Sequence, residues 1–126
     1  MTPERRYREA VNKLLPSHVY TQSMGGSQTN GTPDSYYEAR QCMWVEWKYT
    51  RSLSPRAFPD SKNWPLQRFW LNRCWGNDHQ CAVICGTPVG AYAWMYGTWK
   101  DRKIIDSIYR FKDKREVADW IKWMVT

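Results

Sequence analysis

Histidine is nearly absent from this chain: only His18 and His79 occur in 126 residues. Neither has a triad context, so histidine-centred acid–base chemistry is excluded as the leading idea and both read as structural. Cysteine is also sparse. Cys42, Cys74, Cys81 and Cys85 contain no CxxC pair, and Cys81-x3-Cys85 falls on one face of a strand instead of closing a metal loop. A zinc site completed by His79 is therefore the weaker reading, and reduced, mostly buried thiols are expected. No apolar run approaches the roughly 20 residues that a membrane span needs. The opening Met-Thr-Pro-Glu-Arg-Arg is too charged for a signal peptide and starts a helix instead. The expectation is a cytoplasmic protein without a membrane partner. Acids are in deficit too, 12 Asp+Glu against 19 Lys+Arg, for a net charge of +7. That sign suits a polyanion such as nucleic acid, although basic character alone does not identify one.

Aromatic and apolar residues are abundant. Nine Trp and eight Tyr bring the aromatic share to 16% within a hydrophobic share of 42%, which is globular rather than disordered composition. The length suits one domain with a single core. Thr2-Pro3-Glu4 is a helix start, with a hydroxyl N-cap, Pro at the first position and an acid in the first turn. The helix should run to about Leu15 and stop before Pro16. At about 100° per residue, Tyr7, Val11, Leu14 and Leu15 share a stripe. Glu4 lies on that stripe and Glu9 nearly opposite it.

Residues 18–24 read as a strand and 25–31 as a connection rich in turn residues. Residues 34–37 read as a short strand, with a hairpin turn at 38–40. Residues 41–50 form the clearest strand, and 52–60 an irregular loop. A second helix is expected from Ser61 or Trp64 to about Trp75, with Gly76 ending it. Residues 80–85 and 89–96 read as a hairpin and 104–111 as a further short strand. A closing helix spans 114–124, with Val117, Trp120, Ile121 and Met124 at helical spacing. The order is αβββαββ with a β/α tail, a single mixed α/β domain.

The chemistry concentrates at Asp34 and Glu46-Trp47-Lys48. Strand alternation puts Trp44, Glu46 and Lys48 on one face and Met43, Val45, Trp47 and Tyr49 on the other. A carboxylate and an ammonium on a largely apolar strand are costly to bury without partners. A divalent metal shared with Asp34 would justify them. Mg²⁺ prefers oxygen ligands, which Asp34, Glu46 and the Trp47 backbone carbonyl could supply, and Lys48 could position water or stabilise developing charge. The plain alternatives are a turn aspartate at 34 and a surface ion pair between Glu46 and Lys48.

An opening helix, then Pro33-Asp34, a strand with Glu46-x-Lys48, a helix bearing Gln67 and an apolar strand together resemble the PD-(D/E)xK nuclease superfamily. Within it the chain is most similar to VRR-NUC (virus-type replication–repair nuclease) domains and phage junction-resolving endonucleases. The similarity covers roughly residues 3–96, leaving 100–126 as an extension of uncertain role. It implies a compact restriction-endonuclease-like α/β domain with a central mixed sheet flanked by helices. It also implies a Mg²⁺-dependent endonuclease, with Mn²⁺ able to substitute, acting on branched, flapped or Holliday-junction DNA. In that resemblance Asp34 and Glu46 match the metal-binding carboxylates, Lys48 the lysine beside them, and Gln67 the glutamine on the following helix. The family also uses an acid on the first helix, and helical phase selects Glu4 over Glu9. Helix-dipole partner for Glu4 and ordinary surface residue for Gln67 stay open as alternatives. Arg5, Arg6, Arg8, Arg68 and Arg73 are candidate nucleic-acid contacts. A homodimer through Trp120 and Trp123 of the tail helix would suit cutting of two strands. No organic cofactor is implied. The rival readings are a non-cleaving nucleic-acid-binding module of the same fold and a protein-interaction or inhibitor module.

Overall fold

The computed structural model describes residues 1–24, 31–52, 54–55, 58 and 61–126. Most of the 25–31 connection and part of the 52–60 loop therefore lie outside the described residues. Helix α1 (Pro3–Asn12) is followed by β1 (Tyr20–Ser23), β2 (Ser35–Glu38) and β3 (Cys42–Tyr49). Helix α2 (Trp64–Gly76) leads to β4 (Cys81–Thr87) and β5 (Gly90–Trp94), then a 3-10 turn at Ile104–Asp106, β6 (Tyr109–Phe111) and α3 (Lys114–Val125).

The six strands make one sheet whose spatial order follows the chain order, β1 to β6. Every neighbouring pair is antiparallel except β3–β4, which is parallel. A parallel pair needs a crossover, and α2 supplies it. Helices α1 and α3 pack together on one sheet face, over Met43, Val45, Trp47, Ala82 and Ile84. On the other face α2 covers Cys81, Val83 and Cys85, with Trp64, Leu71, Trp94 and Trp99. The fold is thus a compact α/β domain with a mixed sheet flanked by three helices.

Several sequence expectations change. Helix α1 ends at Asn12, short of Leu15, because Leu14 N–H donates to the Val11 carbonyl and Leu15 N–H to Asn12, i→i+3 bonds that tighten the exit before Pro16. Strand β1 starts at Tyr20 because Val19 N–H bonds to Pro16 instead of entering the ladder. Gly76 is still helical. The residue that turns the chain is Asp78 (φ 64°), with Asp78 N–H donating to Trp75 and His79 N–H to Cys74 in a Schellman arrangement. Val89 is a turn residue, not a strand residue, and Tyr96 (φ 58°) falls beyond the end of β5. Residues 104–106 are a 3-10 turn, so only 109–111 of the last segment pairs with β5.

The tail is not appended to the domain. Strand β6 completes the sheet, and Val117, Ile121 and Val125 of α3 are fully buried in the larger core. Trp120 is 7% exposed and packs against Tyr109 and Phe111, so of the expected interface pair only Trp123, at 67%, reaches the surface.

Candidate metal centre

The site forms where β2 and β3 part. Ser35 pairs with Val45, which sets Asp34 opposite Glu46 just past the last rung of that ladder. Beyond it β3 runs on to Tyr49 against β4 alone. Trp44 and Thr50 donate their N–H groups toward the β4 side, so the Trp47 backbone between them faces the β2 side. With no β2 carbonyl to meet it, Trp47 N–H donates to Asp34 Oδ2 at 2.9 Å. The Trp47 carbonyl leaves the strand on the same side. Asp34 is itself held by Met24 N–H, which donates to its carbonyl at 2.7 Å.

Glu46 and Lys48 lie on the α2 face, with Val45 and Trp47 on the α1 face. Glu4 comes from the helix on the far face. Its approach is set by close packing, because Tyr7 rests directly on the backbone of β4: a Cβ on Gly86 would lie 2.7 Å from the Tyr7 ring. Tyr37 Oη donates to Asn12 Oδ1 at 2.7 Å and ties the other end of α1 to β2. One turn before Tyr7, Glu4 then joins Asp34 and Glu46, with one carboxylate oxygen from each lying within 4.8 Å of the others. It is the one such group of potential ligands among the described residues.

One cation answers these three acids directly. Lys48 Nζ lies 3.5 Å from Glu46 Oε2 and donates to Gln67 Oε1 at 2.8 Å. Its ammonium also sits 5.9 Å from the Phe58 ring centre and 5.7 Å from that of Trp64. The buried Gln67 therefore touches the lysine and acts by positioning it. It is placed by a tight approach at Gly31 (φ 80°), where any Cβ would collide with the Leu66 carbonyl and lie 2.9 Å from Gln67 N.

The charge balance is unfavourable as it stands. Glu46 is 2% exposed, and its Oε1 is buried with no hydrogen-bond partner. Burial, then the charge of Asp34, pushes its carboxyl well above the usual range, with Lys48 opposing. Burial likewise raises Glu4 to about 7, with Asp34 adding to the effect and Lys48 and Arg8 pulling against it. Three convergent carboxylates, one with an orphaned oxygen, are what a hard cation with oxygen ligands fits.

The arginines divide. Arg8 is half-buried and its charge acts on Glu4. Arg5 is exposed and paired with Glu9 at 3.0 Å, and Arg6 is exposed on α1. Arg68 is half-buried on α2, next to Gln67 in sequence. Arg73 lies six residues, about 9 Å, along α2 from Gln67 and sits over Trp70, away from the lysine. Phe58 and Trp64, which wall the lysine, carry no signal in the sequence beyond their hydrophobicity. Cys74, Cys81 and Cys85 are buried on the α2 face and form no disulfide, and His79 is exposed. No protein-family model, curated protein or solved structure matches this chain.

Proposed function

We propose that the chain is a metal-dependent DNA endonuclease, with Asp34, Glu46 and Glu4 holding Mg²⁺ and Lys48 beside the reacting phosphate. The observation that carries this reading is the convergence of three carboxylates around the orphaned Glu46 oxygen, with a single fixed ammonium 3.5 Å from Glu46. A divalent cation held there supplies a positive centre for the scissile phosphate and acidifies a bound water. Asp34, anchored by Trp47 N–H, presents its remaining oxygen, and the Trp47 carbonyl faces the same gap. Lys48, held by Gln67 and two aromatic walls, offers its proton donors to the non-bridging phosphate oxygens as negative charge grows on them. Glu4 holds a proton near neutrality in the metal-free chain and releases it as positive charge enters the site.

A binder without catalysis is the poorer fit. Three acids at the seam repel a phosphate backbone unless a cation lies between them. Mn²⁺ should substitute for Mg²⁺. Preference for branched, flapped or four-way-junction DNA, and a phage-type role, follow from the resemblance to junction-resolving enzymes.

The test is incubation with Mg²⁺ or Mn²⁺ and linear duplex, single-stranded, flapped and four-way-junction DNA, with Glu46→Gln in parallel. Metal-dependent cutting by the wild type and at least a hundredfold less by the variant is expected, on the order of a lost essential interaction. No cutting of any substrate, or equal cutting by both proteins, removes the enzymatic reading.

A further inference from the structure

A cleft of about 160 Å³ opens against Tyr7, one turn along α1 from Glu4, and has the opposite electrostatic character to the acid cluster. Arg6, Tyr7, Tyr49, Arg51 and Lys114 line it, and no carboxylate does. Its lining includes Pro3 and Tyr49, the chain neighbours of Glu4 and Lys48, with Tyr49 on the opposite face of β3 from Lys48. The three cations come from α1, from the residues just after β3 and from the first residue of α3, and none is in an ion pair among the described residues. Lys114 Nζ is 5.3 Å from the Tyr7 ring centre, and the Tyr7 and Tyr49 rings lie 5.9 Å apart.

The aromatic floor of this cleft separates it from an ordinary solvated basic face. Tyr7 is 6% exposed, and its hydroxyl is buried without a hydrogen-bond partner. Lys114 is the first residue of α3, whose N-terminus is capped by its own acids: Glu116 N–H donates to Asp113 Oδ1 and Lys112 N–H to Glu116 Oε1, which leaves the Lys114 ammonium to the cleft. An anion seated between Lys114, Arg6 and Arg51 meets three cations that no ion pair among the described residues answers. The volume suits one phosphate with part of its sugar and is too small for a duplex.

We propose that this cleft is a DNA phosphate subsite, in which Arg6, Arg51 and Lys114 hold a backbone phosphate of the strand whose scissile phosphate lies at the acid cluster. It rests on the nuclease reading above and extends it by giving the C-terminal segment a part in substrate binding. Binding through these residues is independent of base sequence and strongly salt-dependent.

The experiment measures fluorescence anisotropy of labelled single-stranded and duplex oligonucleotides in EDTA, across about 50 to 300 mM NaCl. Wild type is compared with Arg51→Ala, Lys114→Gln and the double variant. Lys122→Ala is the control: an equal charge change on an exposed residue about 12 Å along α3. Each single variant should weaken binding about five- to tenfold, and each should lower the salt slope by about 1. The control should stay within about twofold. Circular dichroism and melting verify that every variant is folded. Wild-type affinity and slope in the double variant overturn the subsite, whether or not the protein cuts DNA. If binding falls as expected and no substrate is cut with metal, the subsite stands and the nuclease reading fails. No DNA binding by the wild type at low salt overturns the subsite, and the cutting assay with metal decides the nuclease reading separately.

Discussion

Glu46 has one oxygen 3.5 Å from Lys48 Nζ and another buried without a partner, so its charge is only half answered. Replacing it with Gln keeps the shape and removes the charge. In chelator at pH 8, Glu46→Gln should therefore be more stable than wild type by about 1–2 kcal/mol, roughly 3–6 °C in Tm. At pH 5, nearer the range in which the raised native carboxyl takes up its proton, the gain should be smaller. Thermal melts of both proteins at the two pH values check this, and a variant less stable at pH 8 would refute the account of Glu46 as a strained charge. The residues of this site differ in how far sequence could reach them. Asp34 and Glu46-x-Lys48 stand out because strand alternation makes their charges conspicuous, and helical phase puts Glu4 on the stripe with Tyr7 and Val11. Phe58 and Trp64 around Lys48 do not, since their role depends on how a loop and α2 meet.

Among the elements, α1 decides whether the third acid is present at all. Its distance from the sheet is set at Gly86, where no side chain stands between β4 and the Tyr7 ring. Gly86→Ala places a methyl group 2.7–2.8 Å from three ring atoms and must push α1 outward. The stability cost should be about 1–3 kcal/mol, as for other overpacked cores. Metal affinity should fall in addition, because Glu4 moves with Tyr7 while Asp34 and Glu46 stay on their strands. Isothermal titration with Mn²⁺ on the folded variant reads this separately from Tm, and unchanged affinity would show that Glu4 is not set by this contact. Element existence was largely legible, since long apolar strands and capped helices announce themselves. Ends were not. Asp78 rather than Gly76 turns the chain, and Val89 sits in the hairpin turn, because local bonds that composition does not mark, His79 N–H to the Cys74 carbonyl and Val89 N–H to Thr87 Oγ1, fix these ends. The core role of α3 was hidden for the same reason: an amphipathic stripe shows that a helix is covered, not by what.

At the scale of the whole molecule, the acid cluster couples folding to pH and to metal. Glu4 is raised to about 7 and Glu46 well above the ordinary glutamate range. From about pH 4.5 to 7 the native state therefore holds more protons than the unfolded chain, so stability falls as pH rises. The penalty is absent below the unfolded pKa and complete above the folded one. Divalent metal replaces those protons, so the Tm gained with Mg²⁺ or Mn²⁺ over EDTA should be small at pH 5 and grow toward pH 8. At a metal concentration one hundred times Kd the stabilisation is about 2.7 kcal/mol. Melts at several pH values, with and without metal, give both curves, and a metal effect independent of pH would contradict this linkage. No helix among the described residues is long and apolar enough to cross a membrane.

The match between strand order and chain order has a kinetic side. Strands β1 to β3 and β4 to β6 are each built from pairings between sequence neighbours, and the one long closure is the parallel β3–β4 join across α2. Strand pairings are local within each half, while the β3–β4 join and the packing of α3 on α1, β2 and β3 are the long-range contacts that slow folding. All three carboxylates and the lysine belong to the first half, which is synthesised first. Their hairpin can pair early, but it stays hydrated until α2 and β4 arrive to enclose Lys48 and Glu46. The electrostatic cost of the site is thus tied to a long-range closure, since Lys48 and Glu46 are enclosed only where α2 and β4 meet the first three strands.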